Sequence, residues 1–431
     1  MIPTPTSTGS PGRMPLRLLL AALLCSGLTS PSPDAKAQDV LMPPPQISTT
    51  PPAVQEYQQQ NQLQVFTPAG FALPAPQVLL QWGPLTLRPH PFYRFLYGDG
   101  IASAQSNHVT TAVHYLAPGF LIGIGSHWTL DYTPAWTFYS SSQFRNTLDH
   151  SVTLAGGTTY ADWILGMSQS YQSSSAPLIE TGTQTDQETY STALDASYRF
   201  NTEMSMDLTV NQNFRYVPQF EDSREWLSVD WLNYQFWPRL DAGAGIGVGY
   251  VNMQKGPDMS YEQFQGRVRW RATDKLAFQA HGGVEDRQFL SGGAPDLINP
   301  VVGGSIQYQP FENTKLQLTA DRVVAVSILT TSSAQDQVTE TSEVTGDLNQ
   351  RLLGEFYLDV GGGYHTVKYV ASTGGFGGRR DDYYSFNMRL GFHLLKRGTV
   401  SVFYQRSDNS STEPGFTFTS NQEGLELGYQ F

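Results

Sequence analysis

The sequence predicts an all-β chain: a transmembrane antiparallel up-and-down β-barrel of about 18 strands, preceded by a disordered N-terminal segment rich in Pro and Gln. Three observations predict it. From Leu87 to the end, strand-length stretches alternate apolar and polar residues, the period of a sheet with two unlike faces. Short turns and longer polar stretches take turns along the chain, as they do when successive hairpins are tight at one end only. The last strand, Asn421-Gln-Glu-Gly-Leu-Glu-Leu-Gly-Tyr-Gln-Phe431, puts Leu425, Leu427, Tyr429 and Phe431 on one side and Gly424, Glu426, Gly428 and Gln430 on the other. Left as a free edge such a strand aggregates; paired with the first strand it closes a barrel.

Composition agrees. The 431 residues are 12% aromatic and only 15% charged, with 40 glycines, and no run of about 18 apolar residues is present to form a membrane-spanning helix. A barrel crosses without such runs, because only alternate residues face lipid.

The N-terminus reads as an export signal over residues 1–37: Arg13 and Arg17 precede the apolar core Leu18 to Leu28, and Ala35-Lys-Ala37 supplies a small-residue cleavage site. The single cysteine, Cys25, lies inside it, so the processed chain is expected to hold no disulfide and no thiolate chemistry. Loss of Arg13, Arg17 and Lys36 together with Asp34 would take the net charge from −12 to −14, which argues against nucleic acid as a partner. Residues 38–86 carry Pro43-Pro44-Pro45, Pro51-Pro52 and Tyr57-Gln-Gln-Gln-Asn-Gln62 without periodicity, the composition of a disordered periplasmic linker. The barrel is expected over residues 87–431.

Within it, Met206, Leu208 and Val210 oppose Asp207, Thr209, Asn211 and Arg215. Phe264, Val268 and Trp270 oppose Gln263, Gln265, Arg267, Arg269 and Arg271, and Phe386, Met388, Leu390 and Phe392 oppose Asn387, Arg389 and His393. A break of phase between Trp231 and Leu232 reads as a bulge. Short turns are expected at residues 125–127, 201–203, 237–239, 272–275, 311–313, 353–355 and 396–398. Longer connections are expected near 99–107, 142–147, 173–187, 217–224, 253–259, 291–299, 328–338, 370–381 and 408–419. In a soluble sandwich the apolar face would be the inner one; this asymmetry of connections instead places it against lipid, with both termini on the periplasmic side.

The terminal strand, with Leu427, Tyr429 and Phe431 on its apolar side, resembles the C-terminal signal by which bacterial outer-membrane barrels are recognised for insertion. Three further segments, Ile179-Glu-Thr-Gly-Thr-Gln-Thr-Asp-Gln-Glu-Thr-Tyr190, Arg224-Glu-Trp-Leu-Ser-Val-Asp-Trp-Leu-Asn-Tyr-Gln-Phe-Trp-Pro-Arg239 and Asn349-Gln-Arg-Leu-Leu353, resemble bacterial outer-membrane proteins of the putative beta-barrel porin family. The resemblance runs from about residue 87 to the end. It implies a barrel in the outer membrane and brings no substrate with it, since fold alone does not determine function.

The expected function is a porin-like channel for passive diffusion of small hydrophilic solutes; the alternative is a barrel component of a surface polysaccharide export or assembly system. Catalysis and cofactors are not expected. The eight histidines form no His-x-x-His or His-Glu-x-x-His pair, and the glycine runs at 243–249 and 361–363 lack a strand-to-helix context for phosphate binding. Expected partners are outer-membrane lipid, the barrel-insertion machinery, small polar solutes and further copies of the chain as a homo-oligomer.

The pore-lining candidates are Arg267, Arg269, Arg271, His281, Glu285, Arg287, Asp207, Arg215 and Arg389. Arg267, Arg269 and Arg271 fall about 7 Å apart on one face, beside the inward glycines 243, 245, 247 and 249. They read either as a basic track for anionic or polar solutes or as a wall network neutralised by Glu285, Asp207 and other inward acids. Trp128, Trp136, Trp163, Trp231, Trp270, Tyr132, Tyr198, Tyr384 and Tyr429 are expected outside, as interfacial girdles. Residues 173–187 read as a third outer loop, either an ordinary exposed one or one that folds inward as a constriction, setting Glu180 and Asp186 against the three arginines.

Overall fold

The structure, a computed structural model, describes residues 80–99, 109–291, 295–329, 338–352, 354–394 except 371–377, and 397–429. The export-signal and linker segments up to residue 79, and Gln430 and Phe431, lie outside the described residues.

A three-residue strand, β1 (Leu80–Trp82), falls within the stretch expected to be linker and turns back onto β2 (Leu85–Asp99). Up-and-down strands then follow without a crossover: β3 (Thr111–Ile124), β4 (Trp128–Tyr139), β5 (Thr147–Tyr160), β6 (Trp163–Leu178), β7 (Thr183–Arg199) and β8 (Met204–Tyr216). Next come β9 (Ser223–Trp237), β10 (Leu240–Met253), β11 (Met259–Thr273), β12 (Leu276–Phe289), β13 (Leu297–Phe311) and β14 (Thr314–Val326). The ring is completed by β15 (Val338–Arg351), β16 (Phe356–Val370), β17 (Arg380–Leu394), β18 (Gly398–Ser411) and β19 (Phe418–Tyr429). Each pairs antiparallel with its neighbour in sequence, and β19 returns to β2, from Asn421 opposite Asp99 to Gly428 opposite Phe92. Strands β2 to β19 are the eighteen of a closed barrel. Closure removes the free edges that so long a sheet would otherwise expose. The ladder between β2 and β19 stops where Pro89 and Pro91 withdraw two N–H donors, and β1 takes up the same edge of β2 below them.

Alternation decides which face is which. Ile246, Val248, Phe264, Val268 and Trp270 are exposed on the outside, whereas Gln263, Gln265 and Arg267 between them are buried on the inside. An exposed apolar exterior around a polar interior inverts a soluble sandwich and suits a barrel solvated by lipid. Register is unbroken at Trp231 and Leu232; the shifts fall at Leu240/Asp241, Arg271/Thr273 and Tyr308/Phe311, all at the end that carries the tight turns. The expected bulge is therefore absent. The alternation continues with Trp231 inward at 5% exposure and Leu232 outward at 46%.

The turn between β5 and β6, residues 161–162, was not among the seven expected: Ala161 makes it with φ of 50°, in the place where glycine is the usual signal. β6 and β7, at 16 and 17 residues, are the longest strands. At roughly 3.3 Å per residue they run beyond 50 Å, about twice the height of a lipid-facing apolar band. Their shared outer end therefore clears the lipid.

Candidate functional site: a braced wall and a bridged outer mouth

The inner face of β10 is bare. Gly243, Gly245, Gly247 and Gly249 leave a strip onto which the neighbouring strands lay their rings: a Cβ at Gly249 would run into the Tyr261 ring, and one at Gly245 would come within 2.7 Å of the Trp231 ring. Above these rings lie cations, Arg267 at 4.3 Å from the Trp231 centroid and Arg287 at 4.5 Å from that of Tyr261. Each is also paired. Arg267 donates to Asp207 at 2.5 Å and to Asn233, and Asp207 further accepts from Asn233 and Ser197. Arg287 meets Glu285 at 2.8 Å, Gln263 donates to the same carboxylate at 2.7 Å, and Tyr261 donates to Glu225 at 2.6 Å. Arg269 pairs with Asp241 at 2.6 Å, an acid the sequence reading did not single out. The network runs from β7 to β12. Matched pairing cancels most of the field that a bare row of guanidiniums would project. Arg271, exposed at the turn end, has no ion pair among the described residues. His281 lies across Gly303 from Asp321.

A second network spans the closure. Glu426 on β19 holds Arg389 of β17 at 2.8 Å and Arg94 of β2 at 3.5 Å, and accepts from Ser401 of β18. Arg94 lies over the Phe403 ring at 4.1 Å, and Arg389 reaches Asp359, which Asn349 also serves. One buried carboxylate thus ties the first barrel strand to the last three.

The outer mouth is crossed by the β6–β7 hairpin. Gly182, with φ of +65°, closes its turn and donates to the Leu178 carbonyl at 2.7 Å. The Glu180 carboxylate, 2% exposed, accepts from the Ser327 hydroxyl at 2.6 Å and the Ile328 N–H at 2.9 Å. Arg379 donates to the carbonyls of Ile179 and Glu180 at 3.0 and 2.8 Å, pairs with Asp381 at 2.5 Å, and lies 3.6 Å from the Phe416 centroid. Ser327 and Ile328 follow β14, and Arg379 precedes β17. These connections flank β15 and β16, half-way round the ring from β6 and β7. Leu178, Ile179, Ala176, Val217, Ile328 and Tyr383 bury one another there, with Phe220 and Phe418 against them. The Glu221 N–H adds a 3.1 Å bond to the Ile328 carbonyl. Two hairpins from one wall therefore meet two connections from the opposite wall. Beneath them Arg215 donates to Gln187 at 3.0 and 3.2 Å.

Three expectations are corrected. Residues 173–187 are mostly strand, joined by the short turn 179–182, because a strand end that has cleared the lipid needs no apolar alternation. Glu180 and Asp186 do not face Arg267, Arg269 and Arg271: Glu180 is held by Ser327 and Ile328, and Asp186 forms an ion pair with Arg145. Trp231 leaves the girdle for the interior, where Gly245 gives it room. Leu427 is exposed on the lipid face, opposite Val400 and Tyr93, and Tyr429 lies opposite Gly398. The expectation for Phe431 falls outside the described residues.

An eighteen-strand closed barrel with an apolar exterior, a polar braced interior and tight turns at the end where β2 begins and β19 finishes is an outer-membrane β-barrel of bacterial type. Residues 259–431, from β11 to the end, match the family described as Putative beta-barrel porin 2. Of the three segments noted in the sequence, Asn349-Gln-Arg-Leu-Leu353 lies inside that match.

Solved structures of similar architecture include the outer membrane protein OpdK from Pseudomonas aeruginosa, at 12% identity and a TM-score of 0.45 over 80% of this chain and 98% of that one. OccAB3 of Acinetobacter baumannii shows 11% identity and a TM-score of 0.43 over 80% and 99% of the two chains. OccK11 (OpdR) of Pseudomonas aeruginosa shows 13% and 0.43 over 80% and 96%. No curated protein matches the sequence.

Proposed function

We propose that the chain is a porin-like channel of the outer membrane through which small hydrophilic solutes diffuse passively, with passage governed where the β6–β7 hairpin crosses the outer mouth. The observation that carries this reading is the hydrogen-bonded bridge from Glu180 and Ile179 to Ser327, Ile328 and Arg379. It narrows an eighteen-strand ring, a size that otherwise leaves an aqueous channel. Asp207, Arg269, Arg271, His281 and Arg389, which keep some exposure, line the path in this reading, while Arg215, Arg267, Glu285 and Arg287 are buried and brace the wall behind it. With most of the arginines paired, they act as a wall of alternating donors and acceptors for polar solutes more than as a one-signed track.

In this reading residues 1–37 are an export signal and the residues from 38 to the first strand a periplasmic linker. Catalysis has no part in it. Liposome swelling tests it: vesicles containing the purified barrel should admit a monosaccharide faster than a trisaccharide. Swelling no faster than in protein-free vesicles for both sugars would defeat the reading.

A further inference from the structure

Along one row of the inner wall the register sets Arg267 of β11, His281 of β12, Gly303 of β13, Asp321 of β14, Glu343 of β15 and His365 of β16 in successive facing positions. Arg267 is turned the other way, onto Asp207, and His365 is 3.1 Å from Glu343. Asp321 is left facing a second carboxylate, with no ion pair among the described residues. Its Oδ1 overhangs Gly303 beside the His281 ring, where a Cβ would run into both. Four residues along β15 from Glu343, Asp347 also faces the lumen; it is exposed, lies against Gly361, and has no ion pair among the described residues either.

Cations within reach of these acids are few. Among the described residues the inward face of β13 to β16 carries only Lys315 and Arg351, both near the tight turns. Lys315 stands diagonally across the β14–β15 ladder from Asp347 without an ion pair between them. Arg389, two strands from Asp347, is held by Glu426 and Asp359. Like charges in facing positions destabilise a strand pair, so Asp321 and Glu343 favour a cation between them. A hydroxyl on the same face points to the same ligand. Thr341, inward on β15 two residues beyond Glu343, is 0% exposed and its Oγ1 has no hydrogen-bond partner; an ammonium that sheds water needs such oxygen acceptors.

We propose that the channel selects small solutes bearing an ammonium group, and that Asp321, Glu343 and Asp347 on the β14–β15 wall form the track that holds them. The inference rests on the channel reading and names the solutes that channel favours. Arg267, Arg269 and Arg287 are paired and contribute little opposing field, and Arg271 stands apart at the turn end. The unpaired carboxylates therefore set the sign. Each raises the concentration of a monovalent cation at contact about fivefold in water and lowers that of an anion as much, an effect that salt reduces.

The test follows entry of three labelled sugars of one ring size, glucosamine, glucose and glucuronate, into vesicles that hold the purified barrel in symmetric potassium chloride. Glucosamine should enter fastest and glucuronate slowest, about tenfold apart at low salt, with the ratio shrinking as salt rises. Asp321→Asn with Asp347→Asn should bring the ratio down to about threefold or less and leave glucose entry unchanged. Asp230→Asn, which removes a carboxylate from the lipid-facing side of β9, should leave the ratio intact. Entry of glucose with glucosamine no faster than glucuronate would overturn the proposal while the channel reading stands, and that comparison needs no variant to fold. Exclusion of all three sugars by a folded, inserted barrel would overturn the channel reading and the proposal with it. An unaltered ratio in the double variant, or an equal loss in Asp230→Asn, would also overturn the proposal, by taking the preference away from the β14–β15 wall.

Discussion

Replacing Arg379 by Gln should loosen the bridge over the outer mouth. The side chain is 8% exposed, and its guanidinium donates to two carbonyls of the hairpin tip, at 2.8 and 3.0 Å, while neutralising Asp381. A hydrogen bond from a charged donor contributes about 1.5–3 kcal/mol. Glutamine can restore at most part of one, and it leaves Asp381 without its partner. A net loss of about 3 kcal/mol for the bridged arrangement would raise the population of the released hairpin by about two orders of magnitude. Single-channel recording should then show longer or more frequent sojourns at a higher conductance. Glu180→Ala, which removes the acceptor of Ser327 and Ile328, should do the same through the other wall contact. Glu180→Gln should be milder, because an amide oxygen still accepts from both. Wild-type conductance and flicker in both Arg379→Gln and Glu180→Ala would refute the reasoning.

Among the inward arginines, Arg271→Gln should move the reversal potential across a salt gradient toward cations more than Arg267→Gln, because Arg271 is exposed and without an ion pair whereas Arg267 is buried against Asp207. Equal shifts would mean that pairing does not silence the wall. Gly249→Ala should destabilise the folded barrel by about 1–3 kcal/mol, since the new methyl overlaps the Tyr261 ring, while Gly266→Ala, whose nearest neighbour would be 3.9 Å away, should be close to neutral; urea unfolding in detergent reads both. Glu426→Ala leaves Arg94 and Arg389 without their shared carboxylate and should cost about 3–5 kcal/mol. The temperature at which the barrel unfolds on a gel would fall, and an unchanged temperature would remove the closure network from the account.

The wall was legible in the sequence because its signal is local. A strand between lipid and water must alternate, and a reader of residues 259–271 or 380–394 sees both faces at once. Turn chemistry supplied the order, with one miss at Ala161, which takes a positive φ without the glycine that announces one. The mouth was legible only in position. Residues 173–187 run Ser-Ser-Ser-Ala-Pro into Thr-Gln-Thr, and above the lipid neither face has to be apolar, so two strand ends looked like a loop.

The partners of that hairpin could not be read at all. Arg379 meets Ile179 and Glu180 from about 200 residues away, from a Gly-Gly-Arg-Arg stretch with no period. Trp231 illustrates a conflict between two sound rules. Tryptophan in a barrel favours the interface, but alternation from Leu227 and Val229 points it inward, and the glycines of β10 gave alternation the space to win. The arginine row was found by its spacing, while the pairing of two of its members depended on Asp241 from the adjacent strand and Asp207 from three strands away.

The most direct measurement is planar-bilayer conductance of the purified barrel, with Arg379→Gln recorded beside it. The account predicts discrete insertion steps of uniform, voltage-independent size in the unaltered protein, and larger or more fluctuating steps in the variant. A membrane that stays silent with both proteins, although each is folded and inserted, would contradict it.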